Sequence, residues 1–220
     1  MTALSDRFFA DLARMGQRRN TDPAHYLVVW CSESDLTPTA VNSIGARGLN
    51  QMTPDTLRGL GAPEDFEKLA AEDQLPWIER LIAAREHYNG GPFESAARYY
   101  HSNFFPLTMA RGNAPSTVVV AGDAEDPRER AAYAGNKGLD ADHDGRITLA
   151  DLAAVLEHVR ATRCKGAWDR LDRAVAALPT PGVTWDDAPL PVARRGGAGA
   201  VVAGAALALG VVGFALRRTR

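Results

Sequence analysis

The chain has 220 residues, of which 45% are hydrophobic and 24% are charged, and its formal net charge at pH 7 is −2. These values are typical of one globular domain with appendages and enough chain to bury a sizeable core. A near-neutral charge without a long lysine and arginine run argues against nucleic-acid binding, which depends on basic surface. Cys31 and Cys164 are too few for a disulfide framework. We interpret Cys31 as a small buried hydrophobic residue, because it lies in an apolar helical run.

Two helices are predicted at the start of the chain. Charged residues interrupt any apolar segment within residues 1–20, so we do not expect a secretory signal there. The segment predicts an amphipathic helix instead, whose apolar face is formed by Leu4, Phe8, Leu12 and Met15. Asp22 can cap a second helix and Pro23 can begin it, and this helix continues through the apolar sequence AHYLVVWCSES.

The following segments also predict helices, so we expect an all-α fold. Thr53 and Pro54 repeat the start signal, and Gly61 ends that helix. Apolar stripes predict further helices over DQLPWIERLIAAREHYN, roughly over residues 93–102, and around residues 149–159 and 168–178. The run STVVVAG is rich in β-branched residues, but it is too isolated to support a sheet.

The last part of the chain has the composition of a linker followed by a membrane-spanning helix. Residues 179–195 are rich in proline, which favours an extended linker. Residues 196–216 carry no charge, and at about 1.5 Å per residue such a helix would be roughly 30 Å long, the thickness of a bilayer core. We therefore predict a transmembrane helix over residues 196–217, with small residues at every fourth position that suit helix contact in lipid. The alternative is a Gly/Ala-rich helix buried in a protein assembly, and the flanking arginines leave the orientation open.

The segment around Glu33 has the residue types that glycoside cleavage requires. This reaction needs a proton on a weakly basic bridging oxygen, and a carboxylic acid delivers it well when an apolar cleft raises its pKa towards neutrality. Glu33 ends the helix that carries Tyr26 and Trp30, so one side of it should be apolar and the other open. Glycines in residues 45–48 would let the backbone approach a sugar, and Gln51 offers both a donor and an acceptor. Alternatively, Glu33 is a solvated residue at a helix end and the glycines only form a turn.

The sequence ESDLTPTAVNSIGARGLNQMTPDTLRGLG, residues 33–61, resembles the signature of the lytic transglycosylases of the lysozyme-like superfamily. That signature contains a Glu-Ser pair, a Ser-x-Gly-Ala-x-Gly-Leu-x-Gln core preceded by an alanine, and a hydrophobic-x-Pro helix start. This chain has the pair at residues 33–34, the alanine at Ala40, the core at residues 43–51 and the helix start at residues 52–54. The resemblance implies a lysozyme-like helical domain over residues 1–125, with Glu33 as the single acid and base and Gln51 in contact with substrate. It also implies that Ser34 and Ser43 support the site. Asn50 is a departure, because the family usually has an apolar residue such as Met there.

A second part of the family signature is altered in this chain. The family usually carries an Ala-Tyr-Asn-x-Gly motif whose tyrosine lies near the acid, whereas this chain has ARYYHSNFFP, without the glycine. The aromatic-Asn-Phe-x-Pro form resembles a variant associated with phage-tail and virion transglycosylases. It suggests Tyr100 and Asn103 as substrate-binding residues. Alternatively, the aromatic residues of this segment belong to the core.

The resemblance implies cleavage of the β-1,4 bond between MurNAc and GlcNAc in peptidoglycan. Ordinary glycosidases use two carboxylates. A lytic transglycosylase needs one, because the acid that protonates the glycosidic oxygen then takes the proton of the muramyl 6-hydroxyl, which closes a 1,6-anhydro ring. Asp35 and Glu64 are candidates for a second carboxylate, and either one across the cleft would favour a muramidase that hydrolyses the bond. A further alternative is a non-catalytic virion or wall-binding protein that kept the fold.

The sequence DADHDGRITLAD, residues 140–151, matches the 12-residue calcium loop of EF-hands. The predicted ligands, with Arg146 acting through its carbonyl, are Asp140, Asp142, Asp144, Arg146, Thr148 and Asp151. Asp151 replaces the usual glutamate, and its shorter side chain favours weaker calcium binding or greater tolerance of magnesium. Thr148 and Asp151 also match a capping box for the next helix, which is compatible with metal binding. We expect a structural cation site within a helical extension over residues 126–178.

The expected substrate and the expected topology conflict. Peptidoglycan lies outside the cytoplasm, yet no export signal is visible, and a C-terminal anchor would leave the main domain on the cytoplasmic side. The missing signal and the altered tyrosine motif favour a phage-derived or virion-associated protein that is anchored in the membrane and acts on the cell wall. The expected partners are therefore glycan strands, a membrane and virion or tail proteins.

Overall fold

The computed structural model describes residues 4–179 of the chain. These residues are mostly helical, as predicted, and they form eight α-helices and two short strands. The helices are α1 (Asp6–Arg19), α2 (Pro23–Ser34), α3 (Pro54–Leu60), α4 (Ala71–Asn89), α5 (Ala96–Phe104), α6 (Pro127–Gly135), α7 (Leu149–Thr162) and α8 (Lys165–Ala176). The strands are β1 (Val118–Ala121) and β2 (Arg146–Thr148), and 3₁₀ turns lie at Phe66–Lys68, Pro106–Arg111 and Lys137–Leu139.

Capping side chains set the boundaries of the two helices that flank the Glu33 segment. The Asp22 carboxylate accepts the Ala24 N–H at 2.8 Å, and the Thr53 hydroxyl accepts the Thr56 N–H at 3.3 Å. A proline occupies the first helical position in both, where no N–H is needed. Gly61 ends α3 with a φ of 69°, a left-handed conformation that favours glycine. The predicted start signals of both helices and the predicted end of α3 at Gly61 are confirmed.

Helix α2 passes through the centre of the core. All its residues from Tyr26 to Ser32 are buried, and the helix packs against α1, α5, α7 and α8. The rings of Tyr26 and Trp30 stack with their centroids 6.1 Å apart. Each large apolar side chain buried in this way contributes roughly 2 kcal/mol to stability. The position of α2, and of Glu33 in its last turn, is therefore fixed by the core.

A two-stranded antiparallel sheet joins the middle of the chain to the aspartate loop. Strand β1 pairs with β2, so that Val120 lies opposite Ile147 and Ala121 lies opposite Arg146. Val119, Val120 and Ile147 are fully buried. The prediction that STVVVAG is too isolated to support a sheet was wrong. Its partner strand lies within the aspartate loop, whose polar sequence does not predict a strand.

Cys31 and Cys164 form a disulfide bond. The expectation that Cys31 is simply a small buried hydrophobic residue was wrong, because it is fully buried but bonded. The two residues are separated by 133 positions in the sequence, so only tertiary packing brings them together. Helix α7 packs against α2, and the start of α8 follows it directly. This places the two Cα atoms 6.3 Å apart, within disulfide range.

The predicted extension packs closely on the first part of the chain. Helix α8 contacts α1 and α2, and α7 contacts α2 and α5. Within residues 4–179, no helix is long and apolar enough to cross a membrane. The predicted transmembrane helix over residues 196–217 lies outside the described residues, as does nearly all of the predicted linker over residues 179–195.

Candidate functional site

Glu33 lies in a cleft of about 90 Å³ where α2, α4, α5 and the loop between α2 and α3 meet. Four of the predicted site residues line this cleft together: Glu33, Gln51, Tyr100 and Asn103. Two larger grooves, of about 650 and 600 Å³, lie elsewhere and include neither Glu33 nor Gln51. The candidate site is therefore identified by the polar groups that converge in it and not by its size.

Glu33 occupies the last turn of α2 and is partly buried. The chain turns sharply after it, because Asp35 and Leu36 adopt left-handed conformations with φ of 52° and 56°. Burial raises the pKa of Glu33 to about 7, although the nearby Arg85 guanidinium opposes part of this rise. A large fraction of Glu33 therefore carries, at neutral pH, the proton that a general acid must donate.

A buried glutamine fixes the loop that faces Glu33. Gln74 accepts the Leu49 N–H through Oε1 at 3.0 Å and donates to the Pro38 carbonyl through Nε2 at 2.8 Å. Gly48 packs against it with a φ of 74°. A Cβ at this position would lie 2.5 Å from both Gln74 Oε1 and the Phe66 ring. Only glycine fits there, which gives a physical reason for one of the motif glycines.

The other predicted residues of this segment occupy different positions relative to the cleft. Gln51 lines it with a φ of 43°, and its Nε2 donates to the Gly48 carbonyl at 3.0 Å. Ser34 donates to the Leu49 carbonyl at 2.9 Å, so it ties the end of α2 to the loop without lining the cleft. Ser43 is exposed in the loop and is not among the lining residues.

Asn50 is the centre of a buried polar network behind the cleft. Its Oδ1 accepts three hydrogen bonds, from Trp30 Nε1 at 3.0 Å, Tyr99 OH at 2.8 Å and Asn103 Nδ2 at 2.8 Å. An apolar residue such as Met could not accept them. The departure from the family signature at this position is thus matched by three donors that require an acceptor.

Tyr100 lies beside Glu33 and is almost fully buried. Burial raises the pKa of the phenol well above its ordinary value, and the charge of Glu33 raises it further. Tyr100 therefore stays protonated over the whole range in which Glu33 titrates. Tyr99, in contrast, belongs to the core, as the alternative interpretation of the aromatic residues stated, and its ring packs edge-on against Tyr26 at 5.0 Å.

Arg85 is a cleft residue that the sequence analysis missed. It comes from α4, lines the cleft and donates a hydrogen bond to Asn103 Oδ1. Burial lowers its pKa to about 10, so it is charged at neutral pH. A signal was present, because Arg85 follows the buried Leu81 and Ile82 at helical spacing and thus falls on the apolar face of α4.

The two candidates for a second carboxylate lie away from the cleft. Asp35 is exposed and pairs with Arg163, whose Nε donates to Asp35 Oδ1 at 2.9 Å. Glu64 is also exposed. Among the described residues that line the cleft, Glu33 is the only one with a carboxylate.

The carboxylates of the aspartate loop converge on one another. Asp140, Asp142 and Asp144 each present one oxygen within 4.8 Å of the other two. Asp140 Oδ2 accepts from Tyr133 OH at 2.8 Å and from the Gly145 N–H at 3.0 Å. Although burial alone would raise the pKa of Asp140, such hydrogen bonds lower it, so Asp140 is ionised. Its Oδ1 is buried and has no hydrogen-bond partner in the described part of the chain, which fits a hard cation.

The side chains of the predicted ligands Thr148 and Asp151 are engaged within the protein. Asp151 Oδ2 accepts the Thr148 N–H at 2.8 Å and the Thr148 hydroxyl, and Asp151 Oδ1 accepts the Ala141 N–H at 3.1 Å. The predicted capping box at the start of α7 is therefore confirmed. Arg146 belongs to β2, and its N–H donates to Asp144 Oδ1 at 2.8 Å. Of the four predicted carboxylate ligands, three therefore belong to the converging set.

The fold and site define a mostly helical protein with a cleft around one carboxylic acid and an acidic loop connected to it through α7 and a disulfide. Comparison of the chain with protein-family models, with curated proteins and with solved structures found no match. Function must therefore be inferred from the geometry of the cleft and from the sequence resemblance of residues 33–61.

Proposed function

We propose that this protein is a lytic transglycosylase with a lysozyme-like fold, which cleaves the glycan strands of peptidoglycan with Glu33 as sole acid and base. The observation that carries the proposal is that Glu33 is the one carboxylate among the described residues lining the cleft. Its pKa of about 7, which results from burial, supports proton donation at neutral pH. The signature over residues 33–61 supports peptidoglycan as the substrate.

In the first step, Glu33 donates its proton to the oxygen that joins MurNAc to GlcNAc. The bond between this oxygen and C1 of MurNAc breaks, the electron pair leaves with the oxygen, and GlcNAc departs as an alcohol. Positive charge develops at C1 while Glu33 becomes a carboxylate. Because the carboxylate is partly buried, it is a stronger base than a hydrated glutamate.

In the second step, the 6-hydroxyl of the same MurNAc attacks C1, and Glu33 takes the hydroxyl proton. This closes the 1,6-anhydro ring, restores protonated Glu33 and consumes no water. One carboxylate is sufficient, because the same side chain acts first as the acid and then as the base.

Neutral hydrogen-bonding groups around Glu33 are suited to sugars. The side-chain amides of Gln51 and Asn103 can both donate and accept, as hydroxyl and acetamido groups require. The Tyr100 phenol supplies a further donor that stays protonated beside Glu33. We assign these three residues to substrate binding, and we assign Ser34 to positioning the end of α2.

Hydrolysis by a muramidase is the alternative with the same fold. It would need a second carboxylate to activate water or to act as nucleophile, within about 5–9.5 Å of the first. Neither Asp35, which pairs with Arg163, nor the exposed Glu64 is among the residues that line the cleft. The geometry therefore favours the transglycosylase.

The aspartate loop is proposed to bind Ca²⁺, or Mg²⁺, as a structural cation. Asp140, Asp142 and Asp144 would hold it, and its charge would offset the repulsion between three converging carboxylates. Because Asp151 and Thr148 bond to each other, we expect weaker binding than in a loop with a glutamate ligand at its last position. The cation would stabilise the start of α7, which packs against α2.

Attachment to a membrane and association with a virion are also proposals. They rest on the charge-free stretch of residues 196–216 and on the altered tyrosine motif.

The proposal is tested by incubating the purified full-length protein with isolated sacculi and identifying the released muropeptides by mass spectrometry. Transglycosylation produces 1,6-anhydro ends, which are lighter by one water than the reducing ends produced by hydrolysis. Glu33→Gln keeps the shape of the side chain but cannot donate the proton, so it should release no products. Glu64→Gln, which alters an exposed carboxylate outside the cleft, is the matched control. Reducing ends would favour the muramidase, and unchanged activity of folded Glu33→Gln would refute an acid role for Glu33.

A further inference from the structure

The proposed reaction requires Glu33 to exist briefly as a carboxylate in a partly buried site. A buried charge is costly unless it is paired. Arg85 on α4 and Tyr100 on α5 interact electrostatically with Glu33. Tyr99 on α5 interacts in turn with Arg85, and Arg163 after α7 interacts with Tyr100. The two phenols are neutral donors, and Arg163 is already paired with Asp35. Arg85 is thus the cation that remains to offset the charge of Glu33.

Arg85 and Glu33 are a basic and an acidic residue that line the same cleft. Among the described lining residues, Arg85 is the only cation and Glu33 the only acid. Both titrate under each other's influence, because the guanidinium favours ionised Glu33 and the carboxylate favours charged Arg85. When Glu33 is protonated, the cleft keeps an uncompensated positive charge, which the carboxylate formed in the first step neutralises.

The position of Arg85 is set by the polar network and not by Glu33 itself. Its guanidinium donates to Asn103 Oδ1, and Asn103 Nδ2 donates to Asn50 Oδ1 at 2.8 Å. Asn50 is in turn held by the buried Trp30. Because these contacts do not involve the Glu33 carboxylate, the cation is in place before the proton leaves, which is what electrostatic preorganisation requires.

We propose that Arg85 is a positioning residue for Glu33, whose guanidinium, held by Asn103, stabilises the carboxylate that forms once the proton has passed to the substrate. The inference rests on the proposed function and deepens it. Asn103 contributes to this role by accepting a hydrogen bond from the Arg85 guanidinium. Arg85 contacts neither reacting atom in this role.

The variants Arg85→Met and Arg85→Gln test the inference. Met removes the charge at similar volume, and Gln keeps a donor for Asn103 if the Met variant does not fold. Arg80→Met is the matched control, because Arg80 lies on the same helix, outside the cleft, with its guanidinium 4.5 Å from the centre of the Trp77 ring. Two quantities are measured for each full-length variant: the pH profile of kcat, and the titration of the Glu33 carboxyl by ¹³C NMR, with the resonance assigned from Glu33→Gln.

The sign of the effect follows from the role of Glu33. The enzyme needs protonated Glu33, so kcat falls as pH rises through its pKa. Because Arg85 lowers this pKa, its removal should move the descending limb and the NMR midpoint upward together, by roughly one to three pH units. kcat at low pH should fall, because the carboxylate loses its counter-charge, and Arg80→Met should change neither quantity.

Failure of this inference and failure of the proposed function give different results. An unchanged Glu33 titration in a folded Arg85 variant overturns the inference, whatever the activity. A raised KM with an unmoved limb also overturns it, because Arg85 would then bind substrate. A shifted Glu33 midpoint in a protein that does not cleave sacculi supports the Glu33–Arg85 coupling and refutes the proposed function.

Discussion

Replacing Asn50 with Met tests whether the three donors behind the cleft need Asn50 Oδ1 as their acceptor. The substitution restores the residue that is usual in the resembled family, yet we expect it to destabilise this protein. Trp30 Nε1 keeps a second acceptor, because it lies 3.1 Å from Tyr99 OH. Asn103 lines the cleft and can bond to water instead. Tyr99 is fully buried and would lose the acceptor of its hydroxyl.

The expected magnitude follows from this single unpaired donor. An unpaired buried donor costs about 1–3 kcal/mol, and the additional apolar area of Met returns part of it, so the net loss should be roughly 1–2 kcal/mol. In urea unfolding, this loss should lower the midpoint by about 0.5–1 M without a change in m. Tyr99→Phe is the comparison, because it removes a donor and leaves Asn50 Oδ1 with two others. It should therefore cost less. Two results would contradict this reasoning: Tyr99→Phe as destabilising as Asn50→Met, or Asn50→Met as stable as the wild type. In either case, the loss of the acceptor at Asn50 Oδ1 would not determine the stability of the network.

Three further outcomes are expected. The raised pKa of Glu33 means that the folded state holds this proton more tightly than the unfolded chain, so the associated stability is complete below pH 4.5 and is lost as pH rises through about 7. Glu33→Gln should therefore be more stable than the wild type at pH 8, by up to about 3 kcal/mol, and nearly equal to it at pH 4, as measured by urea unfolding at both pH values. Gly48→Ala should cost at least about 2 kcal/mol, because its Cβ would meet side chains at 2.5 Å and its φ is left-handed. Gly61→Ala, with a similar φ but nothing within 4 Å, should cost only about 1 kcal/mol in the same assay. Calcium should raise the melting temperature of the wild type and of Asp123→Asn, an exposed control, but not that of Asp140→Asn, and an equal rise in all three would contradict the metal site.

The sequence predicts well those features that depend on neighbouring residues. Asp22 with Pro23, and Thr53 with Pro54, identify helix starts because a cap acts on N–H groups two or three residues away. The capping box at the start of α7 was predicted for the same reason. Glu33, Gln51 and Asn103 were identified from sequence motifs. They line the same cleft, as expected if the residues of a motif keep the spacing that brings them together.

Features that depend on distant residues were not predicted. The partner of β1 is β2, which lies in a loop whose polar sequence does not predict a strand. The pairing of Cys31 with Cys164 depends on the packing of α7 against α2. Arg85 belongs to no motif, and the sequence analysis considered only the apolar residues of its helix. A charged residue at the spacing of a buried face was the signal that could have identified it.

The burial of α2 and the acidity proposed for Glu33 have the same physical cause. Because residues 26–32 are apolar or small on every face of the helix, α2 must cross the core, and its last turn must lie where the core reaches the surface. A carboxyl group at that point is hydrated on one side only, which raises its pKa. The Cys31–Cys164 bond holds this turn against α8, and Ser34 holds it against the cleft loop. The environment that raises the pKa of Glu33 is therefore produced by the hydrophobic core and maintained by contacts from both parts of the chain.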